Sequence, residues 1–330
     1  MKKTNKRRLL LKVCALVLVV IFLISAVFYG LEIWEKHRFA FSEDESLISQ
    51  DTLEYDGKTF KKKENIETFL VLGLDTIGET YSIDSYTNDK QSDFVVLFVF
   101  DNDKKICNAV QINRDTIAEI NVLGVAGDKV GTVNKQIALA HTYGNGKEVS
   151  CRNVANAVSK LMLGVNVNHY VSFTMDAVSV ATDFIGGVEV TVLDDFTGIS
   201  SELVKGETVN LNGELALTYV RSRQGLEDSS NKSRMNRHTQ FIKAFYDKFS
   251  QKVKDDKQFA VNAYLSISSY VVSDCNSAKL EGLLKKSADY SIGEIYKLEG
   301  TEEIKDNLVE FYPSEESIKE AVINLFYNEK

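Results

Sequence analysis

The segment DFVVLFVF, residues 93–100, sets the first limit on the fold. From Phe94 to Phe100 it holds no polar residue, so a strand there must be covered on both faces and lies inside a sheet rather than at its edge. DNDKK (101–105) reads as a turn and ICNAVQI (106–112) as the next strand. Strands joined so tightly pair antiparallel, and residues equidistant from Asp103 face one another. Asp93 stands ten positions before that centre and Asn113 ten after it, so Asp93 falls beside Asn113, Arg114 and Asp115. A register error of a residue or two leaves that neighbourhood intact.

Two carboxylates and an arginine thus share one sheet edge. Like charges held close are costly unless a cation lies between them. Asp93 and Asp115 are candidate ligands for a largely hydrated Mg²⁺ beside substrate phosphates, because that ion is usually held by few protein carboxylates. An ordinary Asp–Arg pair capping the hairpin satisfies the same geometry.

A second concentration of charge is YVRSRQGLEDSSNKSRMNRHTQ, residues 219–240. The chain has nine arginines, and four of them, Arg221, Arg223, Arg234 and Arg237, are here. A guanidinium gives phosphate or carboxylate a planar, two-pronged grip that an ammonium lacks. A helix over 232–250 would carry Met235, Ile242, Phe245 and Phe249 on one stripe. Arg234 and Arg237 flank that stripe in the first turn, where free N–H groups and the helix dipole attract anions. Arg221 and Arg223 stand across a Gly/Ser/Asn loop. The set suits a pyrophosphate; a solvated charged loop is the other reading of the same residues.

Five of the first eight residues are basic, and from Leu9 to Tyr29 the only charge is Lys12. That length is what one helix needs to cross a bilayer, roughly 20 residues, and no small-x-small cleavage site follows. The basic flank directs the N-terminus to the cytoplasm. The expected organisation is a cytoplasmic basic tail (1–8), a single transmembrane anchor (9–29), a juxtamembrane linker or short helix (30–65) and an extracytoplasmic, extracellular domain (66–330). Beyond residue 40 there are 31 basic and 45 acidic residues, a net of −14. Such a domain repels nucleic acid, so any anion site must be local. Cys107, Cys151 and Cys275 show no metal-ligand spacing and read as separate buried thiols.

TFLVLGLD (68–75), HYVSFTM (169–175) and GVEVTVL (187–193) read as further strands. Helices are expected over 131–146, 151–162 and 176–186, after the N-cap Asn212, and over 258–271, 277–290 and 315–328. Two-sided strands mixed with helices predict an α/β fold, a three-layer α/β/α sandwich around a central mixed sheet, preceded by one transmembrane helix.

FLVLGLD, the SD of QSDFVVLFV, INRDT, ALAHTYGNG, FIGGVEVTV, LNGELALTYVRSRQG and RMNRHTQ stand in an order and spacing that resemble the LytR–CpsA–Psr family of bacterial cell-wall proteins. RMNRHTQ looks like that family's R-x-x-R-Q block, and the resemblance runs over about residues 66–328. It implies a phosphotransferase that moves a glycopolymer, such as teichoic acid or capsular polysaccharide, from a polyprenyl-pyrophosphate carrier to a peptidoglycan hydroxyl. Mg²⁺ would assist, held by Asp93 and Asp115. Asp93, Arg114 and Asp115 would be catalytic, and Arg114, Arg221, Arg223, Arg234, Arg237 and Gln240 would bind the pyrophosphate. The carrier lipid is expected in an apolar groove near the membrane, and water entering the site would give a pyrophosphatase side activity. Several positions depart from the family pattern. Thr76 and Ile77 follow Asp75 where an arginine is common, Gln91 stands for an arginine, Gln136 for a basic residue, Ala138 for an asparagine and His238 for a glutamine. These departures imply altered substrate choice or weakened catalysis. They keep open a different class of function, a non-catalytic polyprenyl-phosphate-binding or regulatory, attenuator-like membrane protein.

Overall fold

The structure, a computed structural model, describes residues 50–80 and 89–330. The basic tail, the apolar stretch Leu9–Tyr29 and residues 30–49 of the expected linker lie outside the described residues. Among the described residues no helix is long and apolar enough to cross a membrane.

The rest of the expected linker is folded. β1 (Thr52–Tyr55) and β2 (Lys58–Lys62) form a hairpin, and β2 also pairs with the last strand, β15 (Tyr327–Glu329). The turn is Asp56–Gly57, both at positive φ (48° and 71°). Asp-Gly is the pair that a two-residue hairpin turn favours, since both positions must enter the left-handed region.

β3 (Ile66–Leu74), β4 (Ser92–Asp101) and β5 (Ile106–Ile112) form the centre of the main sheet, followed by an outlying hairpin of β6 (Ile117–Leu123) and β7 (Lys129–Gln136). Then come a 3₁₀ segment (Ile137–Tyr143), α1 (Glu148–Leu161), β8 (His169–Phe173), α2 (Met175–Phe184), β9 (Val188–Thr191), β10 (Thr208–Leu211) and α3 (Gly213–Arg221). The chain continues through α4 (Asn231–Asp255), α5 (Gln258–Ile267), β11 (Val271–Ser273), α6 (Ser277–Ser287) and β12 (Ser291–Lys297). An exposed hairpin of β13 (Gly300–Lys305) and β14 (Leu308–Pro313) precedes α7 (Glu315–Phe326).

The main sheet has the order β11-β8-β3-β4-β5-β12. It is mixed: β3–β4, β4–β5 and β8–β11 are antiparallel, β3–β8 and β5–β12 parallel. Alternation along each strand sends successive side chains to opposite faces. Leu70 and Leu72 of β3 and Val95, Leu97 and Val99 of β4 pack with α1 and α7 in one core. Phe69 and Val71 of β3 and Phe94, Phe98 and Phe100 of β4 face α2, α4, α5 and α6 instead. Helices therefore cover both faces, as the two-sided apolar strands require. Beyond the sheet edge a second core gathers β9, α3 and the C-terminal part of α4.

The β4–β5 register pairs Asp101 with Ile106 and Val95 with Ile112. Its centre lies between Asp103 and Lys104, not on Asp103, so the residue brought nearest Asp93 is Arg114 rather than Asn113. The helix expected over 131–146 is the second strand of a hairpin through Gln136 and becomes 3₁₀ from Ile137. Val130, Thr132 and Val133 are β-branched and Gly131 is a poor helix former, and these preferences decide the outcome. The N-cap at Asn212 accepts from Leu215 N at 2.9 Å. Ser230 caps α4 in the same way, accepting from Ser233 N. That helix accordingly starts at Asn231 and, apolar-striped throughout, runs on to Asp255.

Candidate functional site

One end of the sheet gathers the charge. Leu74 pairs with Ser92 and Val95 with Ile112. The C-terminal ends of β3 and β5 and the start of β4 are therefore neighbours, and they present Asp75, Asp93, Arg114 and Asp115. The end of α3 and the loop after it bring Arg221 and Arg223; the first turn of α4 brings Arg234.

Arg114 lies between the two carboxylates. Its Nη1 donates to Asp93, its Nη2 to Gln91 Oε1 at 2.7 Å, and its Nε is 3.3 Å from Asp115 without hydrogen-bond alignment. Arg234 Nη1 donates to the other oxygen of Asp93 at 3.2 Å. Its Nε and Nη2 both bond Asn231 Oδ1, and Asn231 is tied to Asn113 at 2.6 Å. Asn113 also accepts the Asp115 N–H at 2.9 Å. The NRD segment is thus an Asx turn clamped to the helix N-terminus. Burial lowers the Arg234 pKa against the pull of Asp93, and the charges of Arg223 and Arg114 lower it further.

Asp115 is buried, and burial raises its carboxyl above the usual range despite Arg114, Arg223 and Arg234. Gln136, which stands where the family has a basic residue, gives it only a neutral donor at 3.1 Å. Above the ordinary carboxylate pKa the folded protein therefore bears the cost of a desolvated charge, and at lower pH protonation removes it. Asp115→Asn is expected to raise the melting temperature at pH 7 and to change it little near pH 3. Equal effects at both pH values would contradict this placement.

The arginines do not all converge. Arg221, Arg223 and Arg234 line one cavity with Asp75 and Asp93. Arg221 is exposed and 3.7 Å from Asp75. The Arg223 side chain makes no hydrogen bond or ion pair among the described residues, although its main-chain carbonyl accepts from Leu226 N. Arg237, expected in the anion site, is turned inward with 0% exposure. It lies one turn beyond the first, and each of its three nitrogens is bonded: Nε to Tyr219 O at 2.8 Å, Nη1 to Asp194 and Ser233 Oγ, and Nη2 to Ser222 O. Gln240 is likewise away from the cavity, bonded to the Tyr219 hydroxyl and to Thr191 O in the second core. These two residues hold the α3 end that carries Arg221 and Arg223. His238 lines the cavity, with Nε2 donating to Val220 O at 2.9 Å and Nδ1 accepting from Gln111. Burial and the neighbouring Arg234 and Arg237 push its pKa down to about 3, so it stays neutral. A neutral imidazole offers one donor and one acceptor, which is why it fits where a glutamine amide is usual.

The same cavity, about 940 Å³ in all, is otherwise mostly apolar and extends between the sheet and α2, α4, α5 and α6. Phe94, Phe98, Ala181, Phe241, Phe245 and Leu284 are among its walls. It is at the upper end of the usual ligand-site range, roughly 300–1,000 Å³. Sequence reasoning expected a groove but did not say which helices wall it, nor did it find Asp194, the partly buried partner of Arg237, which carries no motif.

The donor set at Asp93 and Asp115 suits a hard cation that keeps most of its water and takes phosphate oxygens as further ligands. The observation behind that fit is a buried carboxylate, Asp115, whose charge the neighbouring guanidinium leaves incompletely offset.

Comparisons with known proteins agree with this architecture. An uncharacterized protein of Staphylococcus aureus is 23% identical over 318 residues, covering 94% of this chain and 73% of that protein. The polyisoprenyl-teichoic acid–peptidoglycan teichoic acid transferase TagU of Enterococcus faecalis is 29% identical over 176 residues, 52% of this chain and 51% of TagU. The chain thus matches about half the length of that relative. The solved structure of TagT bound to LI-WTA superposes with a TM-score of 0.60 at 19% identity, covering 87% of this chain and 97% of TagT, which speaks for the fold. Residues 34–325 match the LytR_cpsA_psr family. That match takes in nearly all of the domain and both halves of the site, and the chain belongs to the LytR_cpsA_psr family.

Proposed function

We propose that this protein transfers a glycopolymer from a polyprenyl-pyrophosphate carrier to a peptidoglycan hydroxyl, with Mg²⁺ held by Asp93 and Asp115. One observation carries the reading: a largely apolar cavity has Arg221, Arg223, Arg234 and Asp93 together in its lining. A prenyl chain fills such a wall, and a diphosphate then falls among the guanidinium groups. An anchor at Leu9–Tyr29 would tether the domain to the membrane that holds the carrier.

In the reaction, the acceptor hydroxyl oxygen bonds to the phosphorus that bears the polymer. The bond from that phosphorus to the bridging oxygen breaks, and prenyl monophosphate leaves. Asp75, half exposed at the mouth and outside the ion-binding pair, is placed to take the hydroxyl proton. Arg221, Arg223 and Arg234 grip the diphosphate oxygens, and Arg114 keeps the two carboxylates together. The chemistry that Mg²⁺ supplies when bound is neutralisation of charge on the diphosphate. Most of the rate gain then comes from fixed charges aimed at the phosphate oxygens.

Ala181→Trp tests the cavity. Each methylene kept out of an apolar site forgoes about 0.8 kcal/mol, so excluding a few isoprenoid carbons weakens binding about tenfold or more. Affinity for a prenyl pyrophosphate should drop by that factor, and affinity for inorganic pyrophosphate should be unchanged. Equal loss of both, or of neither, would place the lipid elsewhere.

A further inference from the structure

At the opposite end of the sheet, away from the arginine rim, one residue comes together with an adjacent pair far from it in sequence. His169 opens β8, and Asp274 and Cys275 form the link between β11 and α6. His169 Nδ1 is 3.1 Å from Asp274 Oδ2, and Cys275 Sγ is 3.6 Å from Asp274 Oδ1. One donor atom from each lies within 4.8 Å of the other two, and among the described residues no other group of three His, Cys, Asp or Glu side chains does this. We propose that His169, Asp274 and Cys275 form a second metal site, for a divalent transition-metal ion of the zinc type.

The donor chemistry makes the choice. A thiolate excludes Mg²⁺ and Ca²⁺, which take oxygen ligands, and sulfur, imidazole and carboxylate together suit Zn²⁺. Bonds of about 2.0–2.3 Å in a tetrahedral Zn²⁺ site set its donors about 3.3–3.8 Å apart. The 3.1 and 3.6 Å separations, to the two different oxygens of Asp274, are already close to that range, and small side-chain rotations bring one oxygen to both. Asp274 is exposed and leaves the fourth position to solvent. On binding, Cys275 releases its thiol proton to solvent, since the thiolate is the ligand.

A second feature bears on the histidine. A metal-ligating imidazole almost always donates its other ring N–H to a carboxylate or carbonyl, which fixes the ring. Glu67 Oε1 stands 4.0 Å from His169 Nε2, the nitrogen that faces away from Asp274. Glu67 is held in turn by Lys286 at 3.2 Å. Lys279 Nζ also approaches His169 Nε2, at 2.6 Å. It is an exposed side chain at the start of α6, free to swing to water when Nε2 becomes a donor to Glu67. Asp274 is fixed from the other side by the Tyr170 N–H at 3.1 Å. The consequence is structural. The ion joins β8 to the link that leads into α6, the helix whose Leu280, Leu284 and Lys286 line the apolar cavity. It would staple that wall in place.

The test uses the full-length protein in detergent, reduced, stripped with a chelator and titrated with Co²⁺ alone in excess Mg²⁺. The expected result is a near-ultraviolet thiolate-to-cobalt absorption that Zn²⁺ abolishes and Mg²⁺ does not. Cys275→Ser and His169→Gln should lose it. Cys107→Ser, a buried thiol elsewhere, and Asp93→Asn, at the rim, should keep it. Glu67→Gln should weaken Zn²⁺ binding about 10- to 100-fold. No thiolate absorption in the parent protein, or absorption that survives Cys275→Ser, overturns the proposal whatever the stability of the variants.

Discussion

Arg237→Met is expected to cost about 3–5 kcal/mol of stability, the range for removing one partner of a buried ion pair. The substitution keeps most of the side-chain volume but leaves Asp194, 18% exposed, with only the Ser233 hydroxyl as donor and takes their guanidinium donors from the carbonyls of Tyr219 and Ser222. It also removes the guanidinium from the Phe196 ring, 5.6 Å away. Arg237→Lys keeps the charge but cannot reach all three partners, so it should be intermediate. Urea denaturation of both variants reads the effect. The outcome also separates two roles for one residue. As a direct pyrophosphate ligand, Arg237 would lose affinity on substitution without losing stability. As the residue that fixes the end of α3, it should lose stability first, and affinity only through displaced Arg221 and Arg223. A Lys variant as stable as the parent but defective in binding would return Arg237 to the anion site.

The converse is expected of Arg223. Its side chain has no bond to break among the described residues, so Arg223→Ala should leave the denaturation midpoint near the parent's. A charge-assisted bond to phosphate contributes on the order of 1.5–3 kcal/mol, so the variant should bind prenyl pyrophosphate about ten- to a hundredfold more weakly. Arg223→Lys should fall between, because it retains charge without the two-pronged grip. A parent-like affinity in Arg223→Ala would show that the loop after α3 does not reach the ligand. Salt offers an internal check, since a half-exposed charge is screened more than the buried Arg234.

The hairpin that founded the sequence reading was legible because its information is local. A two-sided apolar strand, a short turn and a second strand leave little freedom, and a register one residue off still brings Asp93 to Arg114 and Asp115. Two other hairpins were as local and went unread. Asp56–Gly57 and Asp306–Asn307 both take the left-handed conformation that such pairs tolerate. They sit amid charged residues, where alternation of apolar and polar side chains is too weak to mark strands. Arg237 misled for a different reason. Sequence places it one turn from Arg234 on the same helix, but its direction depends on Asp194 and on two main-chain carbonyls from another element, and none of these has a pattern. The second core and the helix walls of the cavity are tertiary facts of the same kind. So is the meeting of His169 with Asp274 and Cys275 across 105 positions. The thiols have no ligand spacing along the chain, and only the pairing of β8 with β11 brings the three donors together.

The direct measurement is turnover. Full-length protein in detergent is given a polyprenyl-pyrophosphate-linked glycopolymer, peptidoglycan and Mg²⁺, and both products are followed: polymer-phosphate joined to peptidoglycan and prenyl monophosphate. The account predicts that they appear in equal amounts, that chelation stops both, and that Asp93→Asn abolishes both without unfolding the domain. Tight binding of the donor with neither product formed in the parent protein would contradict it, and would leave a lipid-binding protein without transferase activity.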